Sequence, residues 1–113
     1  MAEFTHFKKD GSAVMVDVHE KPDTYRAASA TGTIQVSPEV FAAVRDHTAK
    51  KGDVLGVARL AGIRGAKKNA ELIPLCHIVP LTNCEVTFTT DENTNSITAV
   101  CTTSCVGKTG VEM

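Results

Sequence analysis

The chain has 113 residues, 42% of them hydrophobic, and a formal net charge of −1, which suits one domain with one core. It contains no Trp and one Tyr, so it lacks the aromatic side chains on which nucleic-acid-binding surfaces stack bases. No apolar run has the length of a membrane span, and the first ten residues carry charged side chains instead of an apolar signal core. The sequence therefore predicts a cytoplasmic protein that binds neither nucleic acid nor a membrane.

The first third of the chain predicts an arm followed by extended structure. Residues 1–14 are expected to form a flexible or strapping arm, and residues 15–18 a short extended piece. A turn is predicted at residues 21–23, which include a proline. Residues 24–36 predict one long strand or two linked strands, because apolar and polar residues alternate in the second half. Gly32 is the candidate position for a bulge in this strand.

Two helices are predicted next. Ser37 is a good N-cap for the first helix, which is expected to end by residues 50–51 with Gly52 as its left-handed stop. Asp53 is a good N-cap for the second helix, which is expected to reach about residue 68. The second helix has apolar residues on two opposite sides, so it is predicted to pack both on its own sheet and on another subunit. One side comprises Val54, Val57, Ala58, Ala61 and Gly65, and the other comprises Leu60 and Ile63.

Residues 72–77, Leu-Ile-Pro-Leu-Cys-His, place a thiol and an imidazole side by side. Pro74 excludes a regular helix, so Cys76 and His77 are predicted on a loop that Leu72, Ile73 and Leu75 hold rigid, where binding groups are often found. One alternative is a buried core pair. Another is a zinc site that also uses Cys101, although the spacing matches no standard zinc pattern. The cysteines at 76, 84, 101 and 105 form no Cys-x-x-Cys pair and are predicted to be reduced, mostly buried thiols.

The last third of the chain predicts two antiparallel strands joined by a turn at residues 91–95. Apolar and polar residues alternate from 84 to 89, and residues 97–105 form the returning strand. Residues 107–109, Gly-Lys-Thr, resemble part of a phosphate-binding loop, but Thr102 stands where that motif needs Gly. They could bind an anion at the start of a helix over 111–113 or form a plain strand-to-helix turn.

Positive charge is concentrated between residues 50 and 68, which have a net charge of +5 against −1 for the whole chain. Such a block fits a compact anionic ligand, and the alternative is a solvated helix face. Lys51 lies beside Lys50 at the predicted junction of the two helices, where neighbouring cations favour proton transfer by a lysine near neutral pH. The alternative is an exposed lysine stabilised by the helix dipole.

Taken together, these motifs resemble the cyclic pyranopterin monophosphate synthase family, the MoaC proteins of molybdenum cofactor biosynthesis. The resemblance runs from about Met15 to Met113 and has two departures. The family usually has Pro-Leu after His77, whereas this chain has Ile-Val-Pro, and the family continues past Met113 with a catalytic Asp and Lys. Six segments carry the resemblance, in this order: 15–18 (MVDV), 51–54 (KGDV), 57–63 (VARLAGI), 66–68 (AKK), 72–77 (LIPLCH) and 107–113 (GKTGVEM).

The resemblance implies an α+β fold, a ferredoxin-like antiparallel sheet with helices on one face, incomplete at its C-terminus, in a single domain over residues 15–113. It also implies a homohexamer built as a trimer of dimers, with active sites at a subunit interface. The implied reaction is a lyase step without a cofactor or metal. It converts 3′,8-cyclo-7,8-dihydroguanosine triphosphate, supplied by a radical SAM GTP cyclase, to cyclic pyranopterin monophosphate with release of pyrophosphate.

The alternatives to this enzyme are a non-catalytic phosphate- or nucleotide-binding module and a thiol enzyme based on Cys76. By resemblance, the catalytic residues are Lys51, His77 and Glu112. The substrate-binding residues implied in the same way are Leu75, Cys76, His77, Met113, Arg26, Lys67 and Lys108.

Overall fold

The computed structural model describes residues 8, 10–50 and 52–113. Most of the predicted N-terminal arm and Lys51 lie outside these residues. The described elements, in chain order, are β1 (Thr24–Gln35), α1 (Pro38–Arg45), α2 (Val54–Lys67), α3 (Asn69–Leu72), β2 (Leu81–Asp91) and β3 (Ser96–Gly107). The strands form one antiparallel sheet in the order β1-β3-β2, so the predicted α+β class is confirmed.

The central strand, β3, pairs along its whole length with β1. The pairing runs without a break from Thr24 opposite Gly107 to Gln35 opposite Ser96. Gly32 lies opposite Ala99 within this regular ladder, so the predicted bulge at Gly32 is wrong. The irregularity of the sheet instead lies between Leu81 and Asn83, at the start of β2.

The two faces of the sheet differ in chemistry because side chains alternate along each strand. On one face, threonine and serine hydroxyls pair across the strands, with Ser29 bonded to Thr102 and Thr33 to Thr98 at 2.7 and 2.8 Å. The opposite face is apolar and carries the packed core of the described chain. This core consists of Phe41, Val44 and Ile97, with Val36, Leu55 and Phe88 packed against it.

Helix α1 begins as predicted and ends earlier than predicted. The Ser37 hydroxyl accepts a hydrogen bond from the Val40 N–H at 3.2 Å, which satisfies a free donor of the first turn. The helix ends at Arg45 because His47 adopts a left-handed φ of 57°. The His47 N–H then bonds to the Val44 carbonyl and the Thr48 N–H to the Ala43 carbonyl, the pattern of a Schellman motif. His47 therefore stops the helix, and Gly52 does not.

Helix α2 is confirmed at both ends, and the Asp53 carboxylate accepts from the Gly56 N–H at 3.0 Å. Its Leu55 and Ile63 side chains are half-buried, and the helix packs against β2. Val57 and Leu60 remain 62% and 63% exposed. The predicted division of the apolar residues is therefore wrong, because Val57 lies with Leu60 on the exposed side whereas Ile63 lies with Leu55 on the packed side.

The loop after α3 lies where the sequence places it, but two of its three predicted anchors are wrong, and only Ile73 is half-buried. Residues 73–80 form neither helix nor strand, as Pro74 requires. However, Leu72 and Leu75 are 68% and 41% exposed, so these side chains do not hold the loop. Residues 110–113 also lack helical structure, contrary to the prediction, and the Val111 carbonyl accepts from the Thr103 hydroxyl of β3 instead.

Among the described helices, we find none with both the length and the apolar character needed to cross a bilayer.

Candidate active site

A cavity of about 680 Å³ lies on the apolar face of the sheet. Its walls come from the first half of β1, the end of α2 with α3, the loop after Pro74, the middle of β3, the segment after β3, the turn at Lys21, and the strap. We call residues 14–18, which pass over this cavity, the strap. Val14, Val16 and Val18 of the strap are half-buried and alternate with exposed residues, as expected of the predicted extended piece.

Most of the residues proposed for the site from sequence meet in this cavity. Its lining includes Leu75, Cys76, His77, Arg26, Lys67, Glu112 and Met113. They come from β1, α2, the loop and the segment after β3, so only the fold brings them together. Lys51 lies outside the described residues. Lys108 is directed elsewhere, since its Nζ donates to the Lys21 carbonyl at 3.1 Å and lies 3.5 Å from the Asp23 carboxylate.

The His77 ring is fixed by the strap. Its Nε2 lies 2.5 Å from the carbonyl oxygen of Val16. A carbonyl oxygen only accepts hydrogen bonds, so Nε2 must carry the proton, and the neutral ring keeps its free lone pair on Nδ1. The main chain of Val16 thus selects the His77 tautomer.

Cys76 is held beside His77 by a side chain that the sequence analysis did not single out. The Asn69 amide lies 3.5 Å from Cys76 Sγ, and the same sulfur lies 3.5 Å from the His77 carbonyl. Leu75, the preceding residue, has a positive φ of 63°, which is uncommon outside glycine. This backbone conformation turns the chain between Pro74 and Cys76, so hydrogen bonds and a turn, not apolar packing, shape the loop.

The Glu112 carboxylate folds back onto the main chain at Gly110. A Cβ added at Gly110 would overlap the Glu112 carboxylate, so a side chain at position 110 would displace that carboxylate. The Thr103 hydroxyl donates to the Val111 carbonyl at 3.4 Å. These contacts place the carboxylate in the cavity wall without a helix beneath it.

The cysteines differ in environment, and only Cys105 is fully buried. The prediction of mostly buried thiols is therefore wrong, since Cys76, Cys84 and Cys101 are half-buried. Burial, and next the adjacent Cys101 thiol, raise the pKa of Cys84 above its usual value. Cys76, His77 and Cys101 share the cavity lining, but residues 8, 10–50 and 52–113 contain no cluster of three side chains arranged to ligate a metal.

Sequence reasoning missed three contributors to the cavity: the strap carbonyl of Val16, the Asn69 amide and Lys21. Val16 lies in a motif that carried the family resemblance, yet a main-chain acceptor leaves no mark in the residue type. Lys21 lies in a predicted turn, where a surface cation is unremarkable. Only the tertiary fold gives these residues a role.

The fold and cavity define an α+β protein with a partly open cavity that is lined by cations, a carboxylate, a thiol and an imidazole. The profile of the MoaC family matches residues 15–113, and the chain belongs to that family. It is 51% identical over 113 residues to the cyclic pyranopterin monophosphate synthase of Cereibacter sphaeroides, covering all of this chain and 71% of that relative. It is also 51% identical over 113 residues to the synthase of the same name from Thermomicrobium roseum, covering all of this chain and 68% of that relative.

Proposed function

We propose that the protein is a cyclic pyranopterin monophosphate synthase, a lyase of molybdenum cofactor biosynthesis. Its substrate would be 3′,8-cyclo-7,8-dihydroguanosine triphosphate, and its products cyclic pyranopterin monophosphate and pyrophosphate. The observation that carries the proposal is the meeting of Arg26, Lys67, His77 and Glu112 around one cavity. The family membership and the names of the two relatives support it.

The charges of the cavity suit a triphosphate. Arg26 and Lys67 lie in its wall, and guanidinium and ammonium groups bind phosphate oxygens strongly. Closing a cyclic phosphate requires a substrate hydroxyl to attack the phosphate nearest the sugar while the bond to pyrophosphate breaks. In this proposal, Arg26 and Lys67 stabilise the charge that develops on the departing pyrophosphate.

Proton transfers must accompany the rearrangement of the ring system. His77 has a defined lone pair on Nδ1, and Glu112 supplies a carboxylate in the same cavity, so each is proposed to accept or return a proton. Leu75, Cys76 and Met113 would contact the ring system. Lys51 is proposed as the remaining acid–base group on the strength of its family motif.

The assembly and setting of the enzyme belong to the same proposal. We propose a ferredoxin-like fold, a cytoplasmic hexamer built as a trimer of dimers, and substrate supply by a radical SAM GTP cyclase. The exposed Val57 and Leu60 on α2 support a subunit contact. The β1-β3-β2 order, with β3 between two strands linked through helices, is compatible with three of the four strands of a ferredoxin-like sheet.

Turnover of the cyclised nucleotide tests the proposal. Product and pyrophosphate would be measured by chromatography and mass spectrometry in single-turnover reactions with the parent chain and with K51A and K51R. The parent should form product, and K51A should lower kcat by roughly 10²–10⁴-fold, as is typical for loss of a general acid or base. K51R should fail as well, because arginine keeps the charge but does not release a proton.

Two results would change the conclusion. Binding of the cyclised nucleotide without product would favour a non-catalytic binding module. Full activity in K51R would make Lys51 a phosphate contact only.

A further inference from the structure

Two long cations connect the end of β3 and the segment after it to β1 and to the turn before β1. The Arg26 guanidinium donates to the Gly107 carbonyl from Nε at 3.2 Å and to the Lys108 carbonyl from Nη2 at 3.3 Å. In the other direction, Lys108 Nζ donates to the Lys21 carbonyl at 3.1 Å. We call this pair of cross-connections, made by Arg26 and Lys108, the clamp.

The turn that the clamp holds has its own internal bonds. The Asp17 carboxylate accepts from the His19 N–H at 3.0 Å, and the Lys21 N–H bonds to the Val18 carbonyl at 3.0 Å. Lys108 Nζ also lies 3.5 Å from the Asp23 carboxylate. The backbone of Lys21 is therefore fixed from both sides, by the strap and by the Lys108 ammonium.

Lys21 lines the cavity, together with Arg26 and Lys67. The Lys108 ammonium is instead engaged with the backbone of the turn and with Asp23. The family resemblance suggests a phosphate contact at Lys108, but the geometry gives the two lysines different tasks. One provides an ammonium in the cavity wall, and the other holds the loop that carries it.

We propose that Lys21 is a binding residue for the phosphate groups of the substrate, and that Lys108 is a positioning residue that acts through Lys21. The identity of the substrate in this inference rests on the proposed function, whereas the presence of an anion site does not. A polyphosphate would meet three cations on different parts of the fold: Lys21 in the turn, Lys67 on α2, and Arg26 on β1. Arg26 would bind through Nη1, because its Nε and Nη2 already donate to carbonyls. Such a spread suits a ligand with several charged groups better than a single anion.

The test is a double-mutant cycle on the full chain. The affinity for inorganic tripolyphosphate would be measured by calorimetry for the parent, K21M, K108M and the double variant. K21M should weaken binding about tenfold, the order expected for loss of one charge-assisted contact. K108M should weaken it less, and the double variant should bind like K21M alone, because Lys108 has no effect once Lys21 is absent.

Additive losses in the double variant would overturn the inference, since they would mean that Lys108 contacts the anion independently. Unchanged binding in K21M, or no binding of tripolyphosphate by the parent, would also overturn it. The matched control is K68M, which removes a lysine that is as exposed as Lys21 but lies outside the cavity lining, so it should change affinity less than twofold.

A second readout separates this inference from the proposed function. Turnover of the cyclised nucleotide by the parent, with the same KM in K21M, would leave the synthase proposal intact and remove the role of Lys21. Tripolyphosphate binding that depends on Lys21, without product formation by the parent, would support the role of Lys21 and contradict the synthase proposal. Thermal unfolding of K108M reports any general loss of structure, and K108R should restore affinity if the contact to the turn is what matters.

Discussion

The imidazole of His77 donates from Nε2 to a main-chain oxygen of the strap, so the strap determines which nitrogen remains free for chemistry. The two amide replacements of histidine separate these tasks. Glutamine extends an N–H donor to about the position of Nε2, whereas the amide of asparagine reaches only that of Nδ1. The H77Q and H77N variants can therefore show whether Nε2 makes the contact to the strap while Nδ1 transfers the proton.

We predict that H77Q keeps the strap in place but loses turnover, and that H77N loses both. Loss of a general acid or base lowers kcat by roughly 10²–10⁴-fold. Hydrogen exchange of the strap amides would report the contact to Val16, and single-turnover product formation would report the chemistry. Nitrogen-15 NMR of the parent should show a protonated Nε2, and a neutral ring protonated on Nδ1 would contradict the assignment.

A second residue-scale prediction concerns the Cys84 thiol. Burial and the neighbouring Cys101 thiol raise the pKa of Cys84 above its ordinary value of 9.0. The folded state therefore favours the neutral thiol, so its contribution to stability is present below the unfolded pKa and is lost as pH rises through the folded pKa. Alkylation of Cys84 by iodoacetamide, mapped by mass spectrometry, should have its midpoint above pH 9.

The C101S variant should lower that midpoint but leave it above the ordinary value, because burial is the larger cause. C76S serves as the control, since Cys76 lies on the loop after Pro74 beside Asn69 and is not among the groups that shift the pKa of Cys84. A midpoint in C101S equal to that of the parent would show that Cys101 does not influence Cys84.

Site residues that are neighbours in the sequence could be predicted, whereas those that only the tertiary fold brings together could not. Leu75, Cys76 and His77 are adjacent in the chain, and their placement on a loop follows from Pro74. The Val16 carbonyl and Lys21 reach the cavity through pairings between distant segments, which no local pattern contains. Lys108 is another example. A lysine in its motif predicts a phosphate contact, but in the structure its ammonium donates to the backbone of the turn.

At the scale of elements, the N-cap residues correctly predicted where the helices begin, whereas Gly52 did not predict where α1 ends. Ser37 and Asp53 cap α1 and α2 as expected, because a side-chain acceptor at that position satisfies backbone donors. The end of α1 was missed because His47 takes a left-handed conformation that glycine adopts more easily. Gly52, at a φ of 85°, is left-handed too, but it lies in the connection that follows.

We predict that H47G stabilises the protein. A residue with a Cβ in a left-handed conformation costs about 1–2 kcal/mol, and glycine removes this cost while losing some entropy on folding. His47 is exposed, so little packing is lost, and the free energy of unfolding should rise by roughly 0.5–1 kcal/mol. Chemical denaturation would measure it, with A42G inside α1 as a control that should lower stability by about 1 kcal/mol. A decrease in H47G would exclude strain at this helix end.

At the scale of the whole molecule, α2 separates two environments. Its inner side packs on β2, and its outer side exposes Val57 and Leu60. The sequence predicted a helix with apolar residues on two sides; the residues differ from those predicted, since Leu55 and Ile63 face the sheet while Val57 and Leu60 share the outer side. A second subunit over the outer side is part of the proposed assembly.

We therefore predict that L60K reduces the mass of the protein in solution, because a charge at an apolar contact has to be desolvated. Light scattering coupled to size-exclusion chromatography would measure the mass. L72K is the matched control, since Leu72 is 68% exposed on α3 and should leave the mass unchanged. An oligomer of unchanged mass in L60K would place the subunit contact elsewhere.

The position of β3 at the centre of the sheet has a consequence for the order in which the protein folds. The β2-β3 hairpin closes over a short turn, whereas the contact between Arg26 and Gly107 joins residues 81 positions apart, and that between His77 and Val16 joins residues 61 apart. Contacts between distant residues form slowly because they close long loops. The hairpin can therefore form early, and the cavity takes shape only when β1 and the strap dock on it. During refolding, native hairpin structure should accordingly precede the capacity to bind an anion.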